Sequence, residues 1–220
     1  MFRDFFMRKI IIFIGLLFSL SQAQPLTPVR IHYDGGGDWY GNKTTWRNIL
    51  TRVKQVFHLN VAQREVAYRI TDPEFLKYPI AYIAGHGNIR FSPQEVEQLR
   101  RYLTSGGFLY ADDDFGMDAS FRREMKKVFP ELKFVELPFS HPIYHMYYQF
   151  DHGLPKVHEH YGGPPKGFGL IYQGRLVCFY SWNTDISDGC EDAEIHGDPP
   201  EIREQALRMA VNIFLYAVLN

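Results

Sequence analysis

Apolar and polar positions follow two rhythms along this chain, and the switches between them mark the elements. Residues 29–33 form a short β-rich run that breaks at Asp34-Gly35-Gly36-Gly37-Asp38. Trp46, Ile49, Leu50, Val53 and Phe57 then recur at the spacing of a helix with one buried face. Residues 61–70 read as extended, and 78–84 as an apolar strand stopped by Gly85-His86-Gly87. A helix opens at Ser92-Pro93-Gln94-Glu95: Ser92 caps, Pro93 sits in the first turn where its missing N–H costs nothing, and Glu95 completes a capping box. Val96, Leu99 and Leu103 supply its buried face, and Gly106-Gly107 end it. The apolar strand 108–111 runs into a loop, Asp112-Asp113-Asp114-Phe115-Gly116. Beyond it the pattern predicts a helix over 118–128, a strand over 133–137, a hairpin over 170–181 turning at Gln173-Gly174, and a closing helix over 202–219.

Strands alternating with helices predict an α/β fold, a three-layer sandwich with a mainly parallel central sheet, because parallel neighbours need crossover connections. Ligands of such sheets bind beyond the carboxyl ends of the strands. The polar loops 34–40, 85–88 and 112–116 would all emerge on that edge. Residues 140–169 are rich in His, Tyr, Gly and Pro and lack periodicity, and a loop of that length is more often functional than decorative.

The amino terminus changes the compartment. Arg3, Arg8 and Lys9 precede an unbroken apolar run over 10–20, and Ser21-Gln22-Ala23 places small residues where a signal peptidase reads. The run is about 11 residues against the roughly 20 of a bilayer-spanning helix, so residues 1–23 read as a cleaved signal peptide and no permanent membrane anchor is expected. Residues 24–220 then form a single domain, exported to the periplasm or beyond. The first 23 residues contribute +2 to a chain of formal charge −1, which leaves −3, too acidic and too mixed for nucleic acid. Cys178 lies in an apolar strand and Cys190 in an acidic turn, and either a bridge or two packed thiols would suit an exported protein.

The candidate chemistry is carboxylate and imidazole. Asp112, Asp113 and Asp114 are consecutive at a strand end. If extension persists, the first and third point one way and the second the other, and crowding would raise a pKa for acid–base work or attract a cation; the alternative is one turn cap and two solvated groups. His86 stands between glycines that let a ligand approach, or is incidental to a tight turn. In the loop 34–40 the carboxylates of Asp34 and Asp38 argue against a phosphate; they would accept hydrogen bonds from a neutral polar ligand, carbohydrate fitting best, with Trp39 or Tyr40 as a flat face. A strained turn with an aromatic plug is the competing reading. His141 and His145 have the spacing of two metal ligands without a His-Glu-X-X-His pattern, so no metal set and no cofactor is assigned. Asp185, Asp188 and Glu191 read as a solvated acidic loop.

Several of these landmarks occur in one order: Asp34 through Tyr40, Gly85-His86-Gly87, Phe91-Ser92, Gly106-Gly107-Phe108-Leu109, Asp112-Asp113, His141-Pro142, and Tyr180-Ser181 with Asp185. In them the chain from Val29 onward resembles domain-of-unknown-function family 4159, grouped with the class I glutamine amidotransferase-like fold. The resemblance implies a flavodoxin-like sandwich. It does not extend to the Gly-X-Cys-X-Gly turn of true amidotransferases, and Cys190 stands where such proteins tend to carry Trp, so cysteine-dependent glutaminase activity is not expected.

Two functional readings follow. The first is an exported amidotransferase-like module that binds a small polar ligand or an envelope protein through Asp34, Asp38, Trp39, Tyr40, His86, His141 and the Asp112–Asp113 pair. The second is a hydrolase of a polar envelope substrate, with Asp113 or Asp112 as general base or metal ligand and His86 as partner. A purely structural role would need no pocket.

Overall fold

A computed structural model describes residues 24–220, so the predicted signal peptide lies outside the described residues. Seven strands form one sheet: β1 (Pro28–Ile31), β2 (Val66–Tyr68), β3 (Ile80–His86), β4 (Phe108–Phe115), β5 (Val135–Glu136), β6 (Lys166–Tyr172) and β7 (Arg175–Trp182), in the order β2-β1-β3-β4-β7-β6-β5. The longer helices are α1 (Thr45–Phe57), α2 (Pro93–Thr104), α3 (Asp118–Val128) and α6 (Pro200–Leu219), with two short ones, α4 (Ile186–Gly189) and α5 (Ala193–His196), after β7.

The strands β2, β1, β3, β4 and β7 run parallel, whereas β6 and β5 are antiparallel to their neighbours, so the sheet is mixed. The departure from an all-crossover pattern follows from the hairpin itself. Gln173 and Gly174 both hold positive φ, 50° and 83°, a two-residue turn that can only return the chain antiparallel. Extension in 61–70 shrinks to the three residues of β2 plus a bridge from Val61 to Leu26.

Side chains of successive strand residues enter opposite cores. Ile80, Tyr82 and Ala84 join Trp46, Ile49, Leu50 and Val53 of α1 and the apolar face of α6, while Ala81 and Ile83 join Leu99 and Leu103 of α2 and Phe121 and Met125 of α3. Helices thus cover both faces of the central parallel strands. The predicted cap of α2 forms, with Ser92 N–H donating to Glu95 Oε2 at 2.8 Å and Glu95 N–H donating to Ser92 Oγ at 3.3 Å. Among the described residues no helix is long and apolar enough to cross a membrane.

One correction positions the site. Residues 112–115 are strand, not loop, because β4 is hydrogen-bonded on both edges: Gly85 is opposite Asp113 on one side and Ser181 opposite Asp112 on the other. Pairing from two neighbours overrides the weak strand preference of aspartate.

Candidate functional site

The loops after β1 and β3 meet at the carboxyl edge of the sheet. Gly37 N–H donates to Asn88 O at 3.1 Å, and Asp38 turns back over β3 to accept the His86 backbone N–H and to face His86 Nδ1 at 3.1 Å. His86 and Asp38 are both substantially exposed. Asp34 is engaged by Arg69 at 3.1 and 3.2 Å, which holds its carboxyl below the usual range. Trp39 lies flat on His32, ring centroids 4.0 Å apart, and Tyr40 is exposed. Asp38 and His86 therefore come together, while no hydrogen bond among the described residues joins His86 to Asp112 or Asp113.

All three aspartates of β4 are buried rather than solvated. Extension persists, so Asp112 and Asp114 share one face and Asp113 takes the other. Asp113 accepts the Met117 N–H at 3.0 Å at the start of α3, while its second oxygen has no partner among the described residues. Burial pushes its carboxyl up to about 6. Asp112 accepts from Ser181 Oγ and from Ser187 N–H and Oγ; burial raises it to about 7 even so. Burial and the charges of Asp188 and Asp112 push Asp114 far above the carboxylate range.

Beyond this face lies the densest cluster of ionisable groups. The chain leaves β7 through Asn183 and Asp185, both at left-handed φ (60° and 63°), which turns Asp185 inward instead of along the strand. The aperiodic stretch before β6 folds over it, tied by His158 N–H and Val157 N–H to Thr184 O. His158 Nδ1 lies 3.1 Å from Asp185 Oδ2 and 3.5 Å from Asp188 Oδ2, and its Nε2 lies 3.0 Å from Asp198 Oδ1. His160 Nε2 contacts the same oxygen of Asp185. His196 Nε2 is 3.0 Å from Glu191 Oε2 and 3.8 Å from Asp188 Oδ2. With carboxylates at both nitrogens, His158 is an imidazolium; Asp185 and Asp188 together raise its pKa to about 11.

Two overlapping trios have metal-ligand character. The donor atoms of His158, His160 and Asp185 lie within 4.8 Å of one another, as do those of His158, Asp188 and His196. Ligands at the usual ~2.0–2.2 Å from a tetrahedral transition metal stand roughly 3.3–3.6 Å apart, near the 3.1 and 3.5 Å of His158 Nδ1 from Asp185 and Asp188, whereas His160 is in hydrogen-bond contact with Asp185 and must move back to share an ion with it. Asp185 is fully buried, and although its Oδ2 meets His158 and His160, its Oδ1 has no hydrogen-bond partner among the described residues, an expensive omission for a buried carboxylate. The outer groups are themselves held: Asn42 donates to Asp188 Oδ1 at 2.7 Å and Thr44 N–H to Glu191 Oε1 at 3.2 Å. Such second partners orient ligands.

The acidic loop 185–191, expected to be solvated, is thus buried under residues 156–160 and 196–198, and His158, His160 and His196 are members that the linear pattern did not single out. The available signal was the long aperiodic stretch itself. His141 does not join them: it caps its own turn, its Nδ1 accepting Ile143 N–H at 3.2 Å, and leans on Tyr216 of α6, with burial lowering its pKa. His145 bonds Gln149 and Phe139 O rather than sharing ligands with His141. Cys178 and Cys190 are unbridged and buried, and burial pushes both thiols up.

The model of a domain of unknown function, DUF4159, matches residues 27–218. The chain belongs to that family. The DUF4159 match spans every strand and long helix above, from β1 to all but the last residue of α6. No curated protein matches the chain.

Proposed function

We propose that this DUF4159 protein is an exported hydrolase of Asp/His type, in which a divalent transition metal held by His158, His160 and Asp185 acts on a polar substrate of the cell envelope. We place it on a three-layer, class I glutamine amidotransferase-like scaffold that works without a thiol nucleophile. The observation that carries the reading is the convergence of two imidazole nitrogens on one oxygen of a buried carboxylate whose other oxygen is unpartnered. A bound cation would satisfy that carboxylate, displace the proton from His158, and supply a Lewis acid that activates water at neutral pH. Asp188 and His196, at the next separations, are placed to complete the coordination or to take up a proton.

The thiol chemistry of the amidotransferase scaffold is disfavoured by burial, since neither sulfur is accessible and both are held as thiols. The Asp38–His86 pair supports a polar ligand on the neighbouring part of the rim. The passive binding module is the reading that survives if no metal binds.

The deciding experiment is elemental analysis of the purified mature protein, with melting curves on added Zn²⁺, Mn²⁺ and Ca²⁺. A stoichiometric transition metal, lost in His160→Ala and Asp185→Asn, is expected. A metal-free protein whose melting is indifferent to all three ions overturns the hydrolase reading.

A further inference from the structure

Phe115, the last residue of β4, leaves 45 % of its surface exposed, and Tyr161 leaves 42 %. These rings lie together: Phe115 is 5.3 Å from Tyr161 and 4.9 Å from the ring of His160, and Tyr161 stacks on Trp182 at 5.4 Å with the planes 16° apart. Tyr161 is pinned rather than loose, because its hydroxyl accepts Gly116 N–H at 2.8 Å and its own N–H donates to Asn183 Oδ1 at 3.3 Å. A Cβ built on Gly116 or Gly163 would meet nothing within 4 Å, and one on Gly162 only the tip of Glu159, so the backbone flanking the two rings is itself uncrowded. One end of this aromatic lip is His160, a residue of the metal trio.

From this juxtaposition we propose that the lip is a sugar subsite, and that the substrate of the metal centre is a neutral glycan. The inference rests on the hydrolase reading for the chemistry but not for the binding. Three physical points select the occupant. Exposed, ordered rings cost hydration free energy unless a partner covers them. A wholly apolar partner, a lipid tail or an aliphatic side chain, would strip water from His160 and from the edge of the carboxylate cluster without replacing it. A pyranose presents a flat C–H face to the rings and hydroxyls to the imidazoles and carboxylates beside them. An acidic sugar is disfavoured by charge, since the four carboxylates of Asp185, Asp188, Asp198 and Glu159 outnumber the three positive charges of a divalent ion and Lys156, which is itself engaged by Asn183 at 2.7 Å and Glu159 at 3.6 Å.

The test is equilibrium binding of fluorescently labelled four-sugar oligosaccharides, neutral, N-acetylated and uronic, to the full mature protein with and without Zn²⁺. The neutral or N-acetylated chains are expected to bind and the uronic chains not. Phe115→Ala with Tyr161→Ala should weaken binding by about tenfold or more, whereas Tyr161→Phe, which keeps the ring, should retain it. Both rings are half-exposed, and zinc uptake by each variant, measured separately, reports that the fold and the metal trio survive. Preference for the uronic chains, binding unaffected by the double substitution, or no binding of any chain to zinc-loaded protein overturns the sugar subsite. Neutral glycan binding by a protein that takes up no metal would sustain the subsite and overturn the hydrolase.

Discussion

Asp112 and Asp114 face the same hydroxyl, that of Ser187, and Ser187 has one proton to give. One of the two carboxyls must therefore carry a proton of its own; because Asp112 also receives Ser181 Oγ and Ser187 N–H, that proton is assigned to Asp114, across its 2.8 Å contact with Ser187 Oγ. This agrees with the direction of the shift at Asp114, which burial and then the charges of Asp188 and Asp112 raise well above the usual carboxylate value. The two carboxyls are therefore unequal. Asp114→Asn, whose amide can donate as the acid did, should change stability by less than about 1 kcal/mol, whereas Asp112→Asn, which turns an amide toward three donors, should cost roughly 2–4 kcal/mol in urea unfolding at pH 7. Equal costs for the two would refute this proton assignment.

Asp113 predicts a pH dependence of stability. Its carboxyl is raised from 3.8 to about 6 by burial, so the fold favours the neutral form; the stability this contributes is complete below about pH 4 and is lost as pH rises through 6. Asp113→Asn is neutral at every pH. The stability of the variant relative to the natural protein should rise between pH 4 and 7 and then level off, by an amount of order 2–3 kcal/mol. Parallel stability–pH curves for the two proteins would show that Asp113 does not titrate in this range.

Metal uptake should release protons. In the metal-free site His158 is held charged, with a pKa near 11 set first by Asp185 and then by Asp188, and a cation must displace that proton. Apparent zinc affinity should therefore rise by about tenfold per pH unit between pH 6 and 8 for each proton released. Calorimetry in buffers of different ionisation enthalpy counts the protons. A count of zero would mean that zinc binds elsewhere.

The rim between β1 and β3 should be sensitive to backbone space and insensitive to the exposed imidazole. Gly85 sits at φ 129°, and a Cβ there would stand 2.7 Å from both Asp38 Oδ1 and Tyr33 Oη. Gly85→Ala should cost roughly 2–4 kcal/mol, whereas His86→Ala, which removes half of an exposed hydrogen-bonded pair, should cost less than about 1 kcal/mol. Thermal unfolding of the two variants distinguishes a structural glycine from a structural histidine. If His86→Ala is the more damaging, the Asp38–His86 contact is structural.

What the sequence determined by itself is what local forces decide. The helix of residues 93–104 was legible in Ser92, Pro93 and Glu95 because capping acts over three residues, and the β6–β7 turn in Gln173-Gly174 because positive φ is a local demand. The meeting of Asp38 with His86 was legible as two polar loops on one sheet edge, since parallel strands place their carboxyl ends together. Tertiary structure alone decided three things. It kept Asp112–Asp114 in a strand, because neighbours on both sides supplied hydrogen bonds that aspartate's own preference would forgo. It buried the acidic loop at 185–191, because a stretch with no periodicity folded back over it. And it set His158 and His160 against Asp185, some 25 residues away in the chain, a distance at which no pattern of spacing constrains two side chains until the sheet between them exists.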